Sequence, residues 1–171
     1  MSFEKKIKKA KKGNKQAFQD LIQDEKNKLY RMAFLYVKNE NDALDILQET
    51  IYKAFISIQN LKEPNYFSTW LSKILINTSL DFIKKRNRVI PFEEVEQPKN
   101  HHQQKMEEKL DLMEAIKKLD AQYKSAIILR YYKDLTIKQI AEILECPEGT
   151  VKTNIHRGLQ KLKTELGEEC V

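Results

Sequence analysis

The apolar residues of this 171-residue chain recur at three- and four-residue steps over almost its whole length, and only four prolines and four glycines interrupt them. That period is the period of a helix face, so the chain reads as all-α, with no convincing strand. Phe18, Leu21, Ile22, Leu29, Tyr30, Ala33, Phe34 and Val37 predict a helix over about 14–37. Asn39 to Asp42 offers caps for a second, with Leu44, Leu47, Ile51, Ala54, Phe55 and Ile58 as its inward stripe. Pro64 breaks the pattern, since the residue before a proline is driven out of the helical region. A third helix follows over about 66–86, with Phe67, Leu71, Ile74, Leu75, Thr78 and Phe82 buried.

Between Val89 and Gln104 the periodicity lapses: two prolines, three glutamates and Asn100-His101-His102 replace it. This reads as a flexible linker (90–104) between two small helical domains, 1–89 and 105–171. Adjacent histidines without partners at ligand spacing read as solvated, so no metal and no cofactor are expected. Helical order resumes near Lys105, with Leu110, Met113, Ile116 and Leu119 on one stripe, then Ile127, Ile128 and Tyr131.

Charge narrows the function. Lysine and arginine number 31 against 25 acids, a formal net of +6. Residues 1–15 alone hold seven lysines and one glutamate, equal to the whole excess, and read as a solvated, frayed amphipathic helix. Lys84-Lys85-Arg86-Asn87-Arg88 and the stretch 149–163 form two further basic patches. Three such patches on a helical chain point to a polyanion. No apolar run reaches the roughly 20 residues that span a bilayer. No secretory apolar core opens the chain, and two cysteines are too few for a disulfide framework, so a reduced cytoplasm is expected. With no H-E-x-x-H, Walker A motif or metal-placed carboxylate cluster, nothing indicates an enzyme or a small-molecule substrate.

The C-terminal segment is the most informative. Thr136-Ile137-Lys138-Gln139 fits a capping box, and Ile137, Ile140, Ala141 and Leu144 supply a short buried face. Pro147 suits the first position of the next helix, where its missing N–H is no loss, and Glu148 suits the positive end of the helix dipole. Val151, Ile155, Leu159 and Leu162 then run inward. Gly149, Thr150, Lys152, Thr153, His156, Arg157 and Gln160 run at or beside the outward face, without a carboxylate. A capped short helix, a tight turn and a longer basic helix form the geometry that enters a major groove.

The run TIKQIAEILECPEGTVK (136–152), with His156-Arg157, resembles region four of bacterial sigma factors. Residues 42–55 resemble the segment of region two that binds core RNA polymerase, and residues 67–77 the promoter-melting segment. The order and the short linker resemble the extracytoplasmic-function group. The resemblance implies that Asp45, Gln48, Glu49 and Tyr52 dock on core polymerase, whose basic surface charge would steer to this acidic patch. It implies that Tyr66, Trp70 and Asn77 meet the minus-ten element, with Lys73, Lys84, Lys85, Arg86 and Arg88 on the backbone. Trp70 reads equally as core, and the Asn77 amide equally as a buried hydrogen-bonder. The helix-turn-helix would read the minus-35 element. A membrane-anchored anti-sigma factor is implied as a further partner, beside core RNA polymerase and promoter DNA. The pattern departs at Glu145, where glycine is common, and at Thr153-Asn154, where Ser-Arg is usual, which removes one phosphate contact. The competing reading is a stand-alone helix-turn-helix regulator with an N-terminal sensing or dimerisation domain.

Overall fold

The computed structural model describes residues 2–89 and 104–167. The expected linker therefore lies outside the described residues except for Gln104, as do His101, His102 and Cys170. Among the described residues the secondary structure is helical throughout, and it falls into two compact units, Met1–Phe82 and Ile83–Val171.

The first unit is built on a helical hairpin of α2 (Lys15–Val37) and α3 (Glu40–Ser57). Its corners are written in asparagine. The Asn14 side chain accepts from the Ala17 amide at 2.8 Å, and Asn39 from Asp42 at 3.0 Å, satisfying amides with no partner inside their helices. Lys38 closes α2 in the left-handed region, at φ 49°. Leu29, Met32, Ala33, Ala43, Ile46, Leu47 and Ala54 are fully buried.

The N-terminal helix α1 (Phe3–Lys11) departs from its expected frayed state. Ile7 and Ala10 are 1% and 2% exposed, and the Phe3 ring meets Phe67 edge-on at 5.9 Å. Two short 3-10 turns, Ile58–Asn60 and Pro64–Tyr66, lead into α4 (Phe67–Val89). Phe67, Leu71 and Leu75 are buried as expected, whereas Ile74 and Phe82 reach only half-burial; Ile76 and Ser79 are the buried positions instead. Buried hydroxyls are held by their own helices, Thr50 on the Ile46 carbonyl at 2.7 Å and Ser79 on that of Leu75 at 2.9 Å.

The second unit comprises α5 (Gln104–Lys118), α6 (Ala121–Ile127), a π-turn over Ile128–Tyr132, α7 (Ile137–Leu144) and α8 (Glu148–Leu166). Ala115, Leu119, Tyr123, Ile127 and Leu162 form its core, with Ile155 and Leu159 packed against them. Tyr131, expected on that stripe, is exposed, because the π-turn rotates it away from the face Ile128 buries. Lys118 binds Glu165 at 2.8 Å, joining α5 to α8, and this partner holds the ammonium above the usual lysine range.

The α6–α8 crossing is the tightest in this unit's core. A Cβ built on Gly158 would stand 3.0 Å from the Ile127 Cγ1 and 3.4 Å from the Tyr123 Cβ. Gly158→Val should therefore overpack the crossing and destabilise the second unit by about 1–3 kcal/mol. Urea denaturation of the full chain, followed by circular dichroism, measures the loss; an unchanged midpoint would contradict this packing.

Candidate nucleic-acid interface

In the second unit the chemistry begins with a cap. The Gln139 amide donates to the Thr136 hydroxyl oxygen at 3.3 Å, and the Thr136 amide donates to Gln139 Oε1 at 3.0 Å. This reciprocal box starts α7 where the sequence placed it. Upstream, the Arg130 guanidinium donates to the Leu135 carbonyl at 2.9 Å, tying the π-turn to the approach of α7. Within α7 the buried pair is Ile140 and Ile143; Ile137, Ala141 and Leu144 are half-buried, so the inward face is rotated from the expected one.

The turn between α7 and α8 keeps a shape that glycine would suit. Glu145 sits at φ 53° and ψ 44°, the left-handed region, and the Cys146 amide returns to the Ala141 carbonyl at 3.1 Å. Pro147 caps α8 rather than opening it, so the helix begins at Glu148, one residue later than expected, and the Pro147 carbonyl receives the Thr150 and Val151 amides.

Gly149, Thr150, Lys152, Thr153, His156, Arg157 and Gln160 are all exposed on α8. From Gly149 to Thr164 the helix carries no carboxylate. The Thr153 hydroxyl donates to the Gly149 carbonyl at 2.9 Å, so toward a ligand it offers its lone pairs. Asn154 is buried, not outward. The helix turns it into the protein with Val151 and Gly158, so an arginine there would not have pointed straight out, and the expected loss of a phosphate contact does not follow from this geometry.

In the first unit, α4 aligns Tyr66, Trp70, Lys73 and Asn77 at helical spacing. Tyr66, at the turn before α4, is exposed. Trp70 is half-buried with its ring tilted over Phe67 at 6.0 Å, so part of the indole is core packing and part faces out. Asn77 is exposed, which removes the buried hydrogen-bonder as a reading. Ser68 donates to the Glu25 carboxylate at 3.0 Å, anchoring the start of α4 on α2. Lys84, Lys85 and Arg86 are exposed on its last turns; the Arg88 side chain lies outside the described residues.

On α3, Asp45, Gln48, Glu49 and Tyr52 are exposed together. Lys53 reaches Glu49 at 3.4 Å and Thr78 on α4 at 3.4 Å. Here the expected inward stripe is wrong in part. Leu44 is 43% exposed, Ile51 is half-buried, and Phe55 is 37% exposed, its ring meeting Phe18 edge-on at 5.2 Å. With Ile56, 60% exposed, they turn the acidic patch into a mixed one. Leu44 and Ile56 were not picked out as surface residues. The signal was present, because α3 has apolar residues on more sides than one hairpin can cover. Exposed apolar side chains interspersed with polar ones make the kind of surface that a partner can cover. Among the described residues, no group of three or more potential ligands is placed to hold a metal.

Comparison with known proteins follows the two units. Residues 21–89 match the family model for sigma-70 region 2, and residues 109–162 that for sigma-70 region 4. RNA polymerase sigma factor SigV of Bacillus subtilis is 40% identical over 153 residues, covering 86% of this chain and 90% of its own. The ECF RNA polymerase sigma factor SigW of the same organism is 31% identical and covers 97% of both chains. Among solved structures, the sigma factor RpoE of Bartonella quintana, crystallised with the anti-sigma factor NepR, superposes with a TM-score of 0.70 at 24% identity. It covers 86% of this chain and 97% of that one, a likeness of fold.

A left-handed residue with a side chain is strained relative to glycine, at a cost of roughly 1 kcal/mol. Glu145→Gly should accordingly raise the stability of the second unit by about 0.5–1 kcal/mol. Thermal unfolding of the full chain reads this out, and a lowered midpoint would mean that the Glu145 side chain contributes more than its backbone costs.

Proposed function

The chain belongs to the sigma-70 family, in its extracytoplasmic-function group, and from that membership we propose that it binds core RNA polymerase and directs initiation at a two-element promoter. As a sigma factor it is a transcription initiation factor, and the family is not an enzymatic one. In this reading the region-2-like domain (1–89) holds the polymerase and the minus-ten element, and the region-4-like domain (105–171) grips the minus-35 element.

The observation that carries the reading is the outward face of α3. Leu44, Tyr52 and Ile56 stand exposed along α3 with Asp45, Gln48 and Glu49 between them, a face on which apolar and acidic side chains alternate. A basic partner surface would be steered by the acids and held by the apolar side chains between and beyond them. A regulator that dimerised through this face would set its acids against the same acids of the second copy, whereas a basic partner complements them.

Opening a promoter means holding an unpaired base outside the stack, which costs a few kcal/mol. A stacked aromatic returns about 1–3 kcal/mol per base. Tyr66 and the exposed part of Trp70 offer those platforms, Asn77 an edge of donors and acceptors, and Lys73, Lys84, Lys85, Arg86 and Arg88 the phosphate contacts. On α8, Lys152, Arg157 and Gln160 lie where a major groove would present phosphates and base edges, with Gly149, Thr150, Thr153 and His156 beside them. Two weak sites on one carrier gain affinity through effective concentration once polymerase sets their spacing. Control by a membrane-held anti-sigma factor, with the chain itself in the cytoplasm, completes the proposal. Among the described residues no helix is long and apolar enough to cross a membrane.

Run-off transcription with core polymerase tests this directly. Initiation from a single start site should require the protein, and Asp45→Ala with Glu49→Ala should reduce it about tenfold or more, at about 1.4 kcal/mol per tenfold. Tight binding of the purified chain to a palindrome, without association with core polymerase, would instead make it a stand-alone regulator. Arg157→Ala separates the roles on α8. As a phosphate contact it should weaken many promoters alike, whereas a footprint altered at one base pair would reassign it to base reading.

A further inference from the structure

The lysines of α1 are not spent alike. Lys6 pairs with Asp24 of α2 at 3.8 Å, and the Lys11 ammonium donates to the Leu61 carbonyl. Lys5, Lys8, Lys9 and Lys12 remain on the outward side, exposed, and among the described residues none of the four is held in an ion pair. They recur at three- and four-residue steps and so share one face of the helix.

That face has a fixed place. Phe3 packs edge-on against Phe67, and the Gln59 side-chain amide donates to the Lys11 carbonyl. The helix is thus pinned at both ends to the segment 59–67, which carries Tyr66 and leads into Trp70. We infer that α1 is a phosphate clamp, its outward lysines holding the sugar–phosphate backbone of promoter DNA beside the aromatic residues at the start of α4. The inference rests on the promoter-opening role proposed above and extends that surface by one helix.

A basic amphipathic helix also suits an anionic membrane, but that use needs its apolar side free to enter the lipid. Here Ile7 and Ala10 are buried in the protein, and Phe3, 43% exposed, is held by its edge-on contact with Phe67 and is the one large apolar side chain of α1 that reaches the surface. What is left outward is charge with a single half-exposed aromatic at one end, too little apolar face to enter lipid, and it fits a phosphate backbone. Glu4 in the first turn of α1 and Glu63 in the loop before Pro64 are exposed, Asp24 is taken by Lys6, and these acids are too few to neutralise the face.

The test uses holoenzyme made from core polymerase and the full chain, binding a promoter fragment with a pre-melted minus-ten segment over a series of salt concentrations. Each phosphate contact adds roughly 0.7 to the slope of log affinity against log salt on single strands and 0.9 on duplex. Changing Lys5, Lys8, Lys9 and Lys12 together to Gln should flatten the slope by about 3 and weaken binding about tenfold or more near physiological salt. Lys8→Gln with Lys12→Gln should give about half the change in slope, which keeps the test available if the fourfold variant misfolds. An unaltered slope in both variants overturns the clamp, and so does weaker binding at unaltered slope. If unmodified holoenzyme fails to hold the fragment, the promoter reading itself falls and the clamp with it. Loss of the full chain's binding to phosphatidylserine vesicles, at an unaltered DNA slope, would reassign the lysines to a membrane.

Discussion

Ile127 and Tyr123 crowd α8 so closely that residue 158 has no room for a side chain. That contact fixes the rotation of α8 about its own axis. With Val151, Gly158 and Leu162 turned in, Lys152, His156 and Arg157 have nowhere to go but out. The same logic runs through the first unit, where Ile7 and Ala10 set the outward lysines of α1 and the Ala43–Leu47–Ala54 stripe sets the face of α3. In a protein made of single helices and short turns, the surface that meets a partner is whatever packing leaves over. Small residues at the crossings therefore decide the chemistry of the opposite side.

Much of this was readable in advance where one residue determines one backbone event. Asn14, Asn39 and the Thr136–Gln139 box each satisfy amides no other group reaches, and the helices begin where those residues stand. Faces were harder. Leu44 and Phe55 are as apolar as Leu47, and spacing alone cannot say which set the hairpin covers and which it leaves to solvent. Asn154 looked like an outward substitution because its usual counterpart is charged, yet the register of α8 carries it inside. The π-turn at Ile128–Tyr132 adds a residue per turn, so a stripe counted at 3.6 runs off the buried side by Tyr131. The Gly158 contact left a sequence signal, a glycine in mid-helix, whose meaning needs the neighbouring helix to be seen.

Charge tells a similar story of allocation. The excess of six positive charges is not spread evenly. Some cations are consumed internally, as Lys6 is by Asp24 and Lys161 by Asp120 at 3.4 Å. The acids that matter outwardly gather on α3, while α8 is free of them from Gly149 to Thr164. Opposite signs thus stand on separate helices, the acids on α3 and the acid-free basic run on α8.

Under the proposed docking, the uncovered apolar side chains of α3 have a cost for a copy that has found no partner. Leu44, Tyr52 and Ile56 are side chains that water tolerates poorly. Whatever seats itself there lowers the free energy of the folded chain by mass action. Vacant copies are therefore the ones most prone to stick together or be degraded, and the lifetime of the surplus is tied to how many berths stand open.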